Sequence, residues 1–260
     1  MDIELLAQRE RELEEALAAR NDFLGLVSHE LRTPIAIISA NVELMRRAVE
    51  QDDRERLGDI HSEMNENIDR ISRTVDNMLA LARIEAGTIS DPEPVLPARL
   101  AERVAASHRR WHPGRVITVI DNSSLRPVLS HADHIEQALD NLLSNALKYS
   151  EGPIEIEVIE VRPGPIGSGA ASSDVADTAS NESWITAHVR DRGPGIPADV
   201  VGALFQPFTR SDEHASVAGI GLGLNVCRRL IEVHHGRIWA ENRPDGGADF
   251  AFSLPAAPFD

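Results

Sequence analysis

NDFLGLVSHELRTPIAIISANVELM, residues 21–45, decides how the N-terminal part of this chain folds. Leu24, Val27, Leu31, Ile35, Ile38, Val42 and Met45 recur in it at steps of three and four residues. That is the spacing of a heptad seam on one face of a helix. Working backward, Leu6, Leu13 and Leu17 join the seam, with Glu10 and Arg20 at its remaining positions; working forward, Val49 extends it. One helix is predicted over 2–50. Pro34 lacks an amide donor and crowds the preceding turn, so a bend is expected there.

A polar break at 51–54 follows, then a second apolar stripe: Leu57, Ile60, Met64, Ile68, Ile71, Val75, Met78 and Ala82. Two amphipathic helices joined by so short a turn fold back as an antiparallel hairpin. One hairpin cannot bury both stripes, whereas two can as a four-helix bundle, so a homodimer through the hairpin is predicted. Gly87 ends the second helix, and Asp91-Pro-Glu-Pro94 reads as a linker. From about Val95 short strands alternate with helices. Strands are expected at 116–120, 154–161, 184–189, 237–241 and 248–254, and helices at 133–149 and 222–234. Residues 162–183, rich in Gly, Ser and Ala, read as a flexible hairpin loop.

The composition narrows the functions on offer. The 260 residues carry 42 acidic against 26 basic side chains, a net charge of −16, with no long basic run, which argues against direct nucleic-acid binding. Cys227 stands alone, so no intrachain disulfide forms. No apolar run reaches membrane-spanning length, so no membrane contact is expected within this chain. The expected location is cytoplasmic, as a soluble protein or as the cytoplasmic portion of a larger sensor.

Four constellations carry chemistry. In the opening stretch, Leu24, Val27 and Leu31 on the seam leave His29 at the outermost heptad position, where an exposed imidazole is a usable nucleophile. Glu30 could accept a hydrogen bond from one ring nitrogen and free the other. Thr33, one turn on, could orient a water for the reverse hydrolysis. Alone, a His-Glu pair reads better as an ordinary surface histidine beside a salt-bridging glutamate. In Asp140-Asn141-Leu-Leu-Ser-Asn145-Ala-Leu-Lys148-Tyr149, amide, amine and phenol groups recur at helical spacing opposite Leu139, Leu142 and Leu143. An amide oxygen suits phosphate-bound Mg²⁺, and Lys148 supplies a point charge for phosphates. Two asparagines in a helix interior are unfavourable by propensity, which tilts that face toward function.

Asp191-Arg-Gly193-Pro-Gly195-Ile196 follows a strand. Its glycines let backbone approach a flat ligand, and its carboxylate can accept from an exocyclic amine; a tight turn fits as well. Gly219-Ile-Gly221-Leu222-Gly223-Leu224 opens a helix and would present unpaired amides to phosphates. The polar run before it, from Phe205 to Ala218, reads as a lid whose Arg210 reaches a terminal phosphate. The His131/His134 and His234/His235 pairs lack further ligands at zinc spacing, so metal binding by them is a minority reading.

In order and separation these elements resemble the sensor histidine kinases of bacterial two-component systems, from about Asn21 to Pro255. His29 to Pro34 resembles the family's H box, which implies autophosphorylation of His29. Asn141 to Asn145 resembles its N box, with Asn145 at the Mg²⁺ position. Asp191 to Ile196 and Gly219 to Leu224 resemble its two glycine boxes, with Asp191 at the adenine amine, and Phe205 to Phe208 its F box. The resemblance implies an α-helical hairpin (a dimeric four-helix bundle) followed by an α/β two-layer sandwich that binds ATP, as in gyrase and heat-shock protein 90. The implied division is a signalling helix over 1–20, a dimerisation and phosphotransfer hairpin over 21–88, a linker over 89–94 and the ATP-binding domain over 95–260. A response-regulator receiver domain is the implied partner. Two departures stand out: His131 and His134 occupy positions where the family often has Asp and Arg, and Ala248 one where it often has Thr. The rival readings are a catalytically weak or phosphatase-only module that binds a receiver domain, and a gyrase-like ATP-hydrolysing clamp.

Overall fold

A computed structural model describes residues 2–88, 91–162, 183–207, 209 and 221–258. The seam side chains of Leu6, Glu10, Leu13, Leu17, Arg20 and Leu24, and that of Glu30, lie outside what is described. The 162–183 loop falls almost wholly outside it too. Contacts divide the chain into two units, 1–79 and 80–260.

In the first unit, α1 (Asp2–Glu50) and α2 (Arg54–Glu85) form the expected hairpin, turning at Gln51–Asp53 with Asp52 in the left-handed region at φ 52°. The helix continues through Pro34, whose missing amide deprives the Glu30 carbonyl of its usual donor. Buried Val27, Pro34, Asn41 and Ala48, seven residues apart, form the inner seam of α1. Asn41 Nδ2 donates to Glu63 Oε2 on α2 at 3.0 Å, a polar tie that fixes the pairing of the two helices. The apolar residues Ile35, Val42 and Val49 on α1, and Ile68, Val75 and Leu79 on α2, remain exposed. Among the described residues no helix is long and apolar enough to cross a membrane.

The second unit is a sheet with helices on one face. Its strands are β2 (Ile117–Asn122), β4 (Ile154–Val161), β5 (Trp184–Arg190), β6 (Arg237–Asn242) and β7 (Ala248–Pro255), in the order β2-β4-β5-β7-β6. Only the β2–β4 pair is parallel. α3 (Pro97–Trp111), α4 (Ala132–Tyr149) and α5 (Gly223–Glu232) bury their apolar faces on it. Alternation along β4 explains the two layers: Ile154, Ile156 and Val158 enter the core beside Leu139, Leu142 and Phe252, while Glu155 and Glu157 point away. On that other face Arg190 bonds Glu155, Glu157 and Asp249. The end of α2 belongs to this unit, where Ala80, Leu81 and Ile84 pack with Val226 and Leu230.

Four elements differ from the sequence reading. Glu93 and Pro94, read as linker, form β1 (Glu93–Val95) with Val95, pairing with β3 (Val128–Ser130). Strands of three residues carry too little alternation to be read. Val116 lies before β2, exposed, and the strand runs on to Asn122. Helix α3 was not anticipated, although Pro97 in its first turn and Leu100, Ala101, Val104 and Ala105 on its inner face mark it.

Candidate functional site

His29 sits on α1 between buried Val27 and Pro34 and is itself exposed. Burial of those two positions turns the intervening face outward, which is why the imidazole is displayed. Thr33 Oγ1 donates to the His29 carbonyl oxygen at 3.3 Å, an i−4 bond within the helix that leaves its lone pairs free to accept from water.

In the second unit the described candidates lie on the C-terminal half of α4, at the start of α5 and in the turn after β5. Asn141 is the exception to its predicted outward face. It is buried, directly under the first residue of α5, and a Cβ on Gly223 would come within 3.3 Å of its Oδ1. It also bonds to Cys227, a thiol that burial pushes up to about 12 and that lies 3.6 Å from the Ala138 carbonyl. Glycine at this position of α5 lets the two helices approach closely, since a Cβ there would crowd the Asn141 side chain. Asn145, one turn on, is half-buried; Lys148 and Tyr149 end the helix exposed, with Lys148 Nζ 4.9 Å from the centre of the Tyr149 ring.

Asp191 is buried at the end of β5. Its Oδ1 accepts from the Gly193 amide at 2.7 Å and the Ala248 amide at 3.3 Å. These bonds fold the Asp191–Ile196 turn back onto the start of β7 and leave the carboxylate's other oxygen for a ligand. Gly193 packs on the end of α4, where an added Cβ would lie 2.6 Å from the Tyr149 carbonyl oxygen. Gly195 holds φ +86°, a left-handed conformation that favours glycine, and the next residue, Ile196, is clamped by Asn242. Gly221 (φ +73°), buried Leu222, Gly223 and half-buried Leu224 open α5. Gly219 and Arg210 lie outside the described residues, as does Phe208 of the Phe205–Phe208 stretch.

Sequence reading missed three supporting residues. Asn242 on β6 and Gly247 just before β7 brace the Asp191 turn, and Asn225 Nδ2 donates to the Phe205 carbonyl at 3.1 Å, tying Phe205 to α5. The adjacent Gly246 and Gly247 before the last strand were the one available signal, since paired glycines mark a turn of unusual backbone.

The family model described as "His Kinase A (phospho-acceptor) domain" matches residues 19–87, and that described as "Histidine kinase-, DNA gyrase B-, and HSP90-like ATPase" matches residues 130–258. The chain belongs to the sensor histidine kinases of two-component systems. Among its histidine kinase relatives, Sensor protein KdpD of Escherichia coli (strain K12) is 32% identical over 243 residues, 91% of this chain and 24% of KdpD. Adaptive-response sensory kinase SasA of Synechococcus sp. (strain CC9311) is 31% identical over 255 residues, 96% of this chain and 61% of SasA. The chain thus spans less than two thirds of these relatives. Among solved histidine kinases, Acinetobacter baumannii AdeS shares the fold with a TM-score of 0.56 at 22% identity, covering 88% of this chain and 97% of that one. Full-length ShkA in complex with AMPPNP gives 0.55 at 23%, covering 90% of this chain and 46% of that one.

Proposed function

We propose that this chain is the catalytic core of an autophosphorylating kinase, a homodimer that transfers the γ-phosphoryl group of ATP to His29 and then to an aspartate of a response-regulator receiver domain. The observation that carries this reading is the pairing, in one chain, of an outward imidazole on a hairpin helix with a glycine-braced turn anchored by the Asp191 carboxylate. The functional division we infer is 1–20, 21–88, 89–94 and 95–260, as the motifs suggest.

Asp191, held through Oδ1 by two amides, offers its other oxygen to the adenine amine, while Gly193, Gly195 and Ile196 form the flat wall beside it. Gly219, Gly221, Leu222, Gly223 and Leu224 line the phosphates with Lys148, Tyr149 and Arg210. Asn145 is the Mg²⁺ residue: its amide oxygen is a hard, neutral donor, half-buried, with Asn141 behind it. Bound Mg²⁺ neutralises phosphate charge. One His29 ring nitrogen attacks the γ-phosphorus, the bond to the β-bridging oxygen breaks, and ADP departs with the electron pair. Glu30 accepts a hydrogen bond from the N–H of the other ring nitrogen, which stabilises the cationic ring as it forms. Catalysis is then mostly positioning and charge stabilisation. Thr33 holds a water for the opposite reaction, dephosphorylation of the regulator.

With γ-labelled ATP, the wild-type chain acquires acid-labile label and His29→Gln acquires none while still binding nucleotide. Undiminished acid-labile labelling of His29→Gln would overturn the assignment, and phosphate release without a phosphoprotein would point to a clamp-type ATPase instead.

A further inference from the structure

The two histidine pairs that are unremarkable in the sequence meet in space. His131 caps the start of α4, His134 lies one turn on, and His234 follows the end of α5. Their ring centres form a nearly equilateral triangle, 4.9 Å from His131 to His134, 5.4 Å from His131 to His234 and 5.2 Å from His134 to His234. His134 Nδ1 and His234 Nε2 face each other at 2.9 Å.

Imidazoles bound at ~2.0–2.1 Å on three corners of a tetrahedron place their ring centres ~5.2 Å apart and their ligating nitrogens ~3.3 Å apart. All three separations fall within a few tenths of an ångström of the first value. The planes are splayed, at 71°, 60° and 51°, as the blades around a shared ion would be, rather than stacked. We propose that His131, His134 and His234 form a transition-metal site that takes Zn²⁺ or a similar borderline ion, with water in the fourth position. Imidazole donors without carboxylates suit Zn²⁺, Co²⁺ or Ni²⁺ and do not suit Mg²⁺ or Ca²⁺.

Among the described residues no three such side chains already hold a metal-ready arrangement. Ring rotation supplies what is missing, because the ring centres are in place. The proton shared by His134 and His234 moves to another ring nitrogen, and their nitrogens part by a few tenths of an ångström. Burial, foremost, with the neighbouring charges disfavours protonation of His134 and His234, the latter lying at about 4. A neutral imidazole keeps one unprotonated ring nitrogen, whose lone pair is the metal-binding one. The other charged or titratable neighbours are Asp133 on α4, Arg83 on α2 and His235 beside His234. His235 holds φ 59°, in the left-handed region.

The site is separate from the nucleotide residues. Asn141 faces the start of α5 whereas these histidines join the other end, roughly 10 Å back along α4. A metal there would staple α4 to α5, the two helices that carry the Asn141–Asn145 face and the glycine loop.

The test uses the full chain freed of metal by a chelator and titrated with Co²⁺ and Zn²⁺ at pH 7.5. The expected result is one ion per chain, a visible tetrahedral Co²⁺ spectrum that Zn²⁺ bleaches, and a raised Tm. Each of His131→Ala, His134→Ala and His234→Ala weakens binding by roughly 100-fold or more, while His235→Gln changes it less than about 3-fold. Melting each variant in chelator establishes its fold; should His234→Ala unfold, the half-buried His131 provides the decisive variant. Absence of binding, binding indifferent to His131, or binding unchanged in all three variants would each overturn the proposal.

Discussion

Asn242 grips Ile196 at both ends: its Oδ1 accepts from the Ile196 amide at 2.6 Å and its Nδ2 donates to the Ile196 carbonyl at 2.9 Å. The side chain thereby replaces a strand partner for the one residue of the glycine turn that enters the core. Asn242→Ala leaves both backbone groups without that partner, at about 1–3 kcal/mol. Its effect should fall on the turn rather than the sheet, because β6 keeps its own ladder to β7. Calorimetric titration with Mg·ATP should show affinity reduced about 10-fold, with the thermal transition still cooperative. Unchanged affinity would separate this clamp from nucleotide binding.

Gly247→Ala tests the other brace. Gly247 is buried at φ +92°, and a Cβ there would lie 2.1 Å from the Asp191 carbonyl oxygen. The Asp191–Ala248 bonds tie the two segments together beside this contact, so they cannot part freely. Strain and backbone collision together should destabilise the second unit by at least about 3 kcal/mol. Urea unfolding followed by circular dichroism checks this. A loss under about 1 kcal/mol would mean that the turn can move.

These two residues also mark where the sequence stops being readable. The helical hairpin was legible because its signals are local: three- and four-residue steps, Pro34 and Gly87. The α4 motif and the glycine stretches were legible for the same reason, each being a short run of one backbone type. Asn242 and Gly247 act on residues 46 and more positions away, and His134 meets His234 across 100. No periodicity encodes such pairings. Asn141 was misplaced because spacing identifies a face, whereas whether that face meets water or a glycine-bearing helix depends on α5.

Cys227 gives a probe of global unfolding. Burial, the dominant cause, pushes its thiol up to about 12, with an Asn141 hydrogen bond acting the other way. The thiolate is the reactive form, so a native chain at pH 8 presents almost none. Ellman's reagent should fail to label it on a minutes timescale in buffer and label one equivalent in denaturant. Prompt labelling of the native chain would show that the α4–α5 contact opens.

Acid should weaken the second unit through carboxylates of the sheet, Asp249 on its outer face and Glu160 near the end of β4. Burial works against the Asp249 charge, but hydrogen bonds and charge from His188 and Arg190 prevail and hold its pKa below the ordinary range. The Arg162 hydrogen bond, with Arg126, holds Glu160 at about 2. A depressed folded pKa stabilises above the unfolded value, and that contribution disappears as pH falls through the folded one. The urea midpoint should therefore be flat from pH 7 to about 5 and fall from about pH 4 toward 2. Asp249→Asn should lower the midpoint at pH 7 and shallow the acid slope. An identical slope in that variant would remove Asp249 from the account.

The exposed apolar rows make the strongest claim about assembly. Ile35, Val42 and Val49 stand at heptad intervals on α1, and Ile68, Val75 and Leu79 continue the pattern on α2. The inner seam of the hairpin is already filled by Val27, Pro34, Asn41 and Ala48, so these rows have no partner to bury them within their own unit. A second copy presents the same rows under two-fold symmetry. Covering one half-exposed Val or Ile contributes about 1 kcal/mol, and a carboxylate forced into the seam costs more than that. The double variant Val42→Asp/Val75→Asp puts four charges into one dimer. It should raise the dissociation constant at least about 100-fold, read by sedimentation across concentration. Each variant hairpin should remain helical, because both positions are exposed in the single chain. A variant that sediments as a dimer at the same concentration as wild type would move the interface elsewhere.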